Sequence, residues 1–238
     1  MKLKTLLIVP ALLSLSLSAF ANEAVVVFDG TSLDQWEVKK KDKGENKWVL
    51  GEPTVKDDNP KGFFIEKGNG KDKAMVNDVN DHNQSWDIFS KAKFGSSRIE
   101  VEFMVAKGAN SGVYVMGEYE VQILDSYGKE TMGNGDMGAI YGAKPASANP
   151  CKKHGEWQKY VIDFQAPKFD TDGKKIANAK FIKVELNGVV VQENIEMPGP
   201  TPSGVTGKEA ATGPVMFQGD HGAVAFRNVR VTAMAFEK

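Results

Sequence analysis

The chain has 238 residues, with 30 Lys or Arg against 31 Asp or Glu, and one cysteine. Nearly balanced, interspersed charge offers no basic field for nucleic acid or for an anionic membrane surface. A single thiol cannot form an internal disulfide, so an ordered domain here must be held by its apolar core.

Lys2 and Lys4 precede an apolar run from Leu6 to Leu17, and Ala19-Phe20-Ala21 has the small-x-small form of a signal-peptidase site. The run is shorter than the roughly 20 residues a spanning helix needs, and no lipobox cysteine follows it. Residues 1–21 are therefore read as a cleaved signal peptide, with no membrane anchor. Residues 22–238 form a single domain, periplasmic or secreted. That remainder carries a formal charge of −3 and is long enough for one β-sandwich.

No window of this region sustains the i, i+3, i+4, i+7 spacing of an amphipathic helix. Short β-rich runs recur instead, at 25–28, 47–50, 63–65, 99–105, 113–116, 119–124, 158–164, 181–186, 189–192, 215–218 and 224–231. Gly, Pro, Asn and Asp clusters separate them, as in all-β sandwiches and barrels. Eleven strands exceed what one sheet carries comfortably, which predicts two packed antiparallel sheets. In the run from Arg98 to Val105, Ile99, Val101, Phe103 and Val105 alternate towards a core. Leu186-Asn187-Gly188-Val189 predicts a type I′ hairpin, because both central residues tolerate positive φ. The lysine-rich stretch 39–47 reads as a solvated loop, and Cys151, amid Asn, Pro and Lys, as a surface thiol.

The densest chemistry lies in Gly112–Ser126. Val113, Val115, Tyr119, Val121 and Ile123 alternate with Tyr114, Met116, Glu120 and Gln122, which predicts two strands joined at Gly117. Glu120 and Gln122 then share the face opposite the core, where a carboxylate needs a reason. Asp125 lies five residues beyond Glu120 and would point away unless a β-bulge intervenes; otherwise it simply opens the turn 125–128. The spacing Glu120-x-Gln122-x-x-Asp125 is similar to the acidic triplet of laminarinase-type glycosidases, with an amide where they carry an acid.

A second polar concentration is Gln218-Gly219-Asp220-His221-Gly222, where flanking glycines predict a tight loop that aims the imidazole. Histidine is the side chain best suited to exchange protons near neutrality. His82 and His154 sit in polar loops and are given no role, and Trp86 and Tyr141 are candidate platforms for a sugar ring. No zinc spacing, calcium loop, phosphate-binding glycine loop or nucleophile elbow is present. No cofactor is expected, and the sequence leaves open whether a divalent metal ion joins the site.

Taken in order, Phe28–Trp36, Asn110–Tyr114, Tyr119–Ser126, Gly138–Tyr141, Gly155–Trp157, Leu186–Gly188, Gln218–Gly222 and Phe226–Asn228 resemble the 3-keto-disaccharide hydrolase family, known earlier as domain of unknown function 1080. The resemblance runs from about Phe28 to Val231. It implies a concanavalin A-like jelly-roll sandwich, an exported enzyme, an oxidised sugar as substrate and a sugar 3-dehydrogenase acting upstream. It also implies a cleft holding Glu120, Gln122, Asp125, Tyr141, Asp220 and His221, with Arg227 beside it; Gln218, from the same loop as His221, is a further candidate for binding substrate. The chemistry implied is removal of the C2 hydrogen next to a C3 ketone, expulsion of the C1 substituent, and rehydration. Glu120 and His221 would exchange the protons, in either order, with Tyr141, Gln122 or Arg227 polarising the ketone and Asp125 or Asp220 orienting the imidazole. Two other readings stay open: a sugar-binding module without turnover, and a conventional glycosidase using Glu120 and Asp125.

Overall fold

A computed structural model describes residues 23–68 and 73–236; the expected signal peptide, residues 1–21, lies outside them. Sixteen strands and no α-helix are found among the described residues. They are β1 (Val25–Phe28), β2 (Trp36–Lys39), β3 (Trp48–Val55), β4 (Phe63–Glu66), β5 (Ala74–Asn77), β6 (Asp87–Phe94), β7 (Ser97–Val105) and β8 (Asn110–Val115). There follow β9 (Tyr119–Leu124), β10 (Gln158–Gln165), β11 (Lys168–Phe169), β12 (Lys175–Ala177), β13 (Ala179–Leu186), β14 (Val189–Met197), β15 (Gly213–Phe217) and β16 (Val224–Ala233).

Two antiparallel sheets face each other, the all-β sandwich expected from the alternation. The larger runs β14-β13-β10-β7-β16-β5-β3-β4, with β1 also on β16, and the smaller runs β2-β6-β15-β8-β9. In β16 the register shifts between Arg227 and Arg230, and Asn228 sits at φ 53°. β5 pairs with the strand before this bulge and β1 with the strand after it, so one edge serves two partners.

The core between the layers is aromatic. Phe217 of the smaller sheet stacks on Phe226 of the larger at 3.9 Å between ring centroids, and Tyr119 meets Phe164 at 5.1 Å. Ile99, Val101, Phe103 and Val105 are all buried, as the alternation predicts. At the β13–β14 hairpin, Asn187 and Gly188 adopt φ 53° and 83°, and Leu186 pairs with Val189.

The sequence reading missed β2, β5, β6, β11 and β12. Strand β6, Asp-Ile-Phe-Ser-Lys-Ala-Lys-Phe, mixes lysines into its alternation, so no apolar run marks it. Two local expectations are corrected. Cys151 is 7% exposed and buried, because its loop folds back under β10 with Lys152 N–H donating to Gln158 Oε1. The stretch 39–47 is not simply solvated, since Lys39 and Lys41 are drawn onto the smaller sheet by buried carboxylates.

Candidate active site

Because side chains alternate along a strand, register decides which residues meet on the outer face of the smaller sheet. One row across it is Glu37, Phe89, Met216, Tyr114 and Glu120, each paired with the next. The adjacent row begins with Lys39 opposite Asp87 and ends with Gly112 opposite Gln122. Gln218 joins it where β15 ends, its N–H donating to Gly112 O at 3.1 Å. The outer edge of β9 is covered rather than bare: Tyr141 N–H donates to Glu120 O at 3.2 Å and Gly138 N–H to Gln122 O at 3.0 Å.

The segment 201–207 crosses this face as a strap. At the β9 edge Thr201 N–H donates to Glu118 O at 2.8 Å and its Oγ1 accepts from Glu120 N–H at 3.1 Å. In mid-span the Tyr114 hydroxyl donates to Pro202 O at 3.2 Å. On the far side Lys39 Nζ donates to Ser203 O and Gly204 O, both at 2.7 Å. The buried Glu118 carboxylate returns the chain to the hairpin by accepting from Thr206 N–H, Thr206 Oγ1 and Gly207 N–H at 2.7 to 2.9 Å.

Beside the strap lies a cleft of about 130 Å³ lined by Asn110, Tyr114, Glu120, Gln122, Tyr141, Pro202, Ser203, Gln218 and His221. Glu120 and His221, about a hundred residues apart in sequence, thus share one hollow, with Gln122, Gln218 and Tyr141 around them. Asp220 stands directly behind His221. Asp125, Arg227 and Trp86 lie elsewhere. β8 and β9 pair without a register shift, so no bulge brings Asp125 round. Its carboxylate accepts from Gly108 N–H at 2.9 Å and faces His154 Nδ1 at 3.4 Å, and the turn that follows closes from Lys129 N–H to Ser126 O. Arg227 belongs to the larger sheet, where it donates to Glu102 Oε2 at 2.7 Å and lies 4.0 Å over the Trp157 ring. Trp86 donates to Lys43 O at 3.2 Å.

Glu120 is 2% exposed. Burial pushes its carboxyl up to about 8, a hydrogen bond with Tyr114 opposes the shift, and the negative charges of Asp87 and Asp220 add to it. Room for this side chain depends on Gly112, diagonal to it on the neighbouring strand β8, where a Cβ would stand 2.2 Å from Glu120 Oε1. Burial also works against the Asp220 carboxylate. Hydrogen bonds with His221 Nδ1 and Lys41 outweigh it and hold the group down at about 2. Asp220 Oδ1 takes Nδ1 of His221 and Oδ2 takes Lys41 Nζ at 2.6 Å. With Nδ1 so occupied, Nε2 is the ring nitrogen left for a ligand. The loop is fixed by its backbone: Asn110 N–H donates to His221 O at 3.0 Å, and Asn83 N–H to Asp220 O at 2.9 Å. Gly219 is needed because a Cβ there would lie 2.2 Å from Trp86 O.

Two acceptors in the cleft are unused. Gln122 Nε2 donates to Gly135 O at 3.0 Å and to Asn110 Oδ1 at 3.3 Å, which turns Oε1 away, and that atom and Gln218 Oε1 are buried without a hydrogen-bond partner. Buried carbonyl oxygens of this kind fit a ligand rich in hydroxyl donors. Among the described residues, no group of three His, Cys, Asp or Glu side chains is arranged to hold a metal ion. Three residues of this neighbourhood escaped the sequence reading: Lys41, Asp87 and His82, whose ring meets that of His221 edge-on at 4.3 Å. No local pattern marks the lysine, which lies past the end of β2 among other lysines.

The chain is similar to several known proteins. A 3-keto-disaccharide hydrolase of Bacteroides thetaiotaomicron is 24% identical over 174 residues, which cover 63% of this chain and 55% of that protein. The chain thus aligns with little more than half the length of that relative. A crystal structure of a candidate glycosyl hydrolase from Parabacteroides distasonis superposes with a TM-score of 0.66 at 30% identity, covering 89% of this chain and 84% of the other. A second structure from that organism, at 20% identity with a TM-score of 0.54, covers 90% of this chain and 100% of its own and shares the fold. The family matched over residues 23–232 is described as the 3-keto-alpha-glucoside-1,2-lyase-like domain. With that match spanning nearly all the described residues, the chain belongs to the 3-keto-alpha-glucoside-1,2-lyase-like family.

Proposed function

We propose that this protein cleaves 3-keto-glycosides, 3-keto-disaccharides among them, by elimination across C1–C2 followed by rehydration. The observation that carries the reading is the pairing within one cleft of a carboxyl raised to about 8 with an imidazole backed by a carboxylate held at about 2. Environments that push neighbouring titratable groups apart assign the acid and the base. Glu120, protonated at neutral pH, is the acid. His221, with Nδ1–H donated to Asp220, offers the Nε2 lone pair as the base.

In the first half-reaction Nε2 takes the C2 proton, acidified by the C3 ketone. The resulting enolate expels the C1 oxygen substituent, and Glu120 gives that oxygen its proton. In the second, the Glu120 carboxylate accepts a proton from water as it adds to C1 of the enone, and His221 returns a proton to C2. Both groups regain their starting states. The Tyr141 hydroxyl, on the rim at 39% exposure, donates to the ketone oxygen as charge develops. Gln122 Oε1 and Gln218 Oε1 accept from sugar hydroxyls. The cleft is far smaller than the roughly 300–1,000 Å³ of sites that enclose drug-sized ligands, so it suits one sugar ring with the leaving group outside.

A conventional glycosidase needs a second carboxylate across the ring, and Asp125 is committed to Gly108 and His154. A binding module would have no use for a carboxyl held protonated beside an imidazole–carboxylate pair. The leader-like N-terminus extends the proposal to action in the periplasm or outside the cell, downstream of an enzyme that oxidises C3 of the sugar. The test is incubation with a 3-keto-disaccharide and with its unoxidised parent in deuterium oxide. Consumption of the keto sugar alone, with deuterium at C2 of the product above an enzyme-free control, is expected. Cleavage of the parent at a similar rate, or failure of the protein to hydrate the isolated enone, would refute the mechanism.

A further inference from the structure

Behind the imidazole lies a charged cluster that the mechanism above does not use. Lys41, just beyond β2, donates to Asp220 Oδ2 at 2.6 Å and to Asp87 Oδ1 at 2.9 Å. Asp87, at the start of β6, is buried and also accepts from Gly219 N–H at 3.0 Å. Lys39 stands 3.9 Å from the same carboxylate while holding the strap. A buried carboxylate pair sharing one ammonium is costly to assemble unless every member is partnered. Here the partners are the backbone of the His221 loop and the residue that orients His221.

We infer that Lys41 and Asp87 are positioning residues for the reaction: together they clamp the Asp220 carboxylate so that it holds His221 in the Nδ1–H form with Nε2 towards the cleft. The inference rests on the proposed acid–base roles of Glu120 and His221. Geometry gives it a direction. Asp220 has one oxygen on His221 and one on Lys41, so without the ammonium it can rotate and take the imidazole with it. Asp87 anchors Lys41 from the other side and fixes Gly219, one residue before Asp220. The charged and titratable groups facing this cluster are Lys39 from β2, His82 from the loop before β6, Tyr114 from β8, Glu118 from the turn between β8 and β9, and Glu120 from β9. Removing the ammonium leaves two negative charges opposite Glu120, so the carboxyl of Glu120 becomes harder to ionise. Removing Asp87 does the reverse.

The experiment compares wild type with Lys41→Met, Lys41→Arg and Asp87→Asn by two independent readouts. The first is ¹⁵N NMR of the His221 ring, which reports the tautomer without any substrate. Lys41→Met is expected to convert a single Nδ1–H signature into a mixture, and Lys41→Arg to restore it. The second is the pH profile of turnover on a 3-keto-disaccharide. Lys41→Met should lower kcat at least about tenfold with KM within about threefold, and should move the alkaline limb up by about one pH unit. Asp87→Asn should move that limb down.

A merely structural ion pair would reduce the yield of folded protein but leave tautomer and limb in place, and that result would overturn the inference. If Lys41→Met does not fold, Lys41→Gln, which keeps a donor without the charge, reads the same two quantities. If wild type turns over no 3-keto sugar, the proposed function fails. The tautomer measurement would still decide whether Lys41 holds Asp220 on His221.

Discussion

Replacing Glu120 by Gln isolates the energetic cost of the carboxyl on which the proposed chemistry depends. The carboxyl rises from an ordinary 4.5 to about 8 in the folded protein because it is buried and faces Asp87 and Asp220. A folded-state value above the unfolded one means that between these limits the folded protein binds more protons than the unfolded chain. Stability is then greatest below about 4.5 and falls as pH rises towards 8, levelling off above it. At about 1.4 kcal/mol per pH unit, the full effect is about 5 kcal/mol, of which about 4 kcal/mol falls between pH 5 and 9. Glutamine has nearly the same volume and no titration in this range. The assay is urea unfolding of both proteins at pH 5, 6, 7, 8 and 9. The stability difference should swing by about 4 kcal/mol in favour of Glu120→Gln across the series, a large part of a typical domain's total. Turnover of a 3-keto-disaccharide should fall at least about a hundredfold in the same variant. A difference that stays flat within about 1 kcal/mol would show that Glu120 ionises as freely in the folded protein as in the unfolded chain, and would remove the acid from the mechanism.

Gly112→Ala places a methyl 2.2 Å from Glu120 Oε1; because that end of the side chain must move, activity should drop at least about tenfold, while thermal unfolding shows a loss of about 1–3 kcal/mol. Unchanged kinetics in this variant would mean that the carboxyl position does not matter. Asp125→Asn should keep kcat within about threefold of wild type, since its carboxylate serves Gly108 and His154 outside the cleft; a hundredfold loss would revive the two-carboxylate glycosidase. Burial pushes the Cys151 thiol up, so iodoacetamide at pH 7.5 should leave it unmodified by mass spectrometry until denaturant is added.

How much of this was legible in the sequence depended on range. The faces of β7 and β9 could be read because alternation is local and a buried face tolerates no slip. The Asn187-Gly188 turn was equally plain, since few residue pairs accept its backbone. Glu120 and His221 were identifiable as a polar residue on an apolar strand and an imidazole between glycines, but their meeting is a property of strand order. β15, which ends in the His221 loop, pairs directly with β8 and so lies one strand from β9. Asp87 and Lys41 were hidden for the same reason. A lysine among lysines and an aspartate opening a polar strand carry no local mark; what distinguishes them is pairing at long range, Lys41 reaching Asp87 over 46 residues and Asp220 over 179. Arg227 failed in the opposite way. It follows Phe226 on a strand whose other face is core, and alternation alone could not say on which layer its guanidinium would emerge.

The strap between Thr201 and Gly207 bears on how this scaffold can change its ligand. It forms one wall of the cleft through Pro202 and Ser203, yet it is fastened mainly by backbone amides, three carbonyls and the side chains of Lys39, Tyr114 and Glu118. Few of its own side chains support the sandwich beneath. Residues could be inserted or exchanged at its crown to widen, narrow or re-line the opening while both sheets and the proton-handling groups stay where they are. Under the proposed reaction, selectivity for the departing half of a substrate can therefore evolve separately from the chemistry itself.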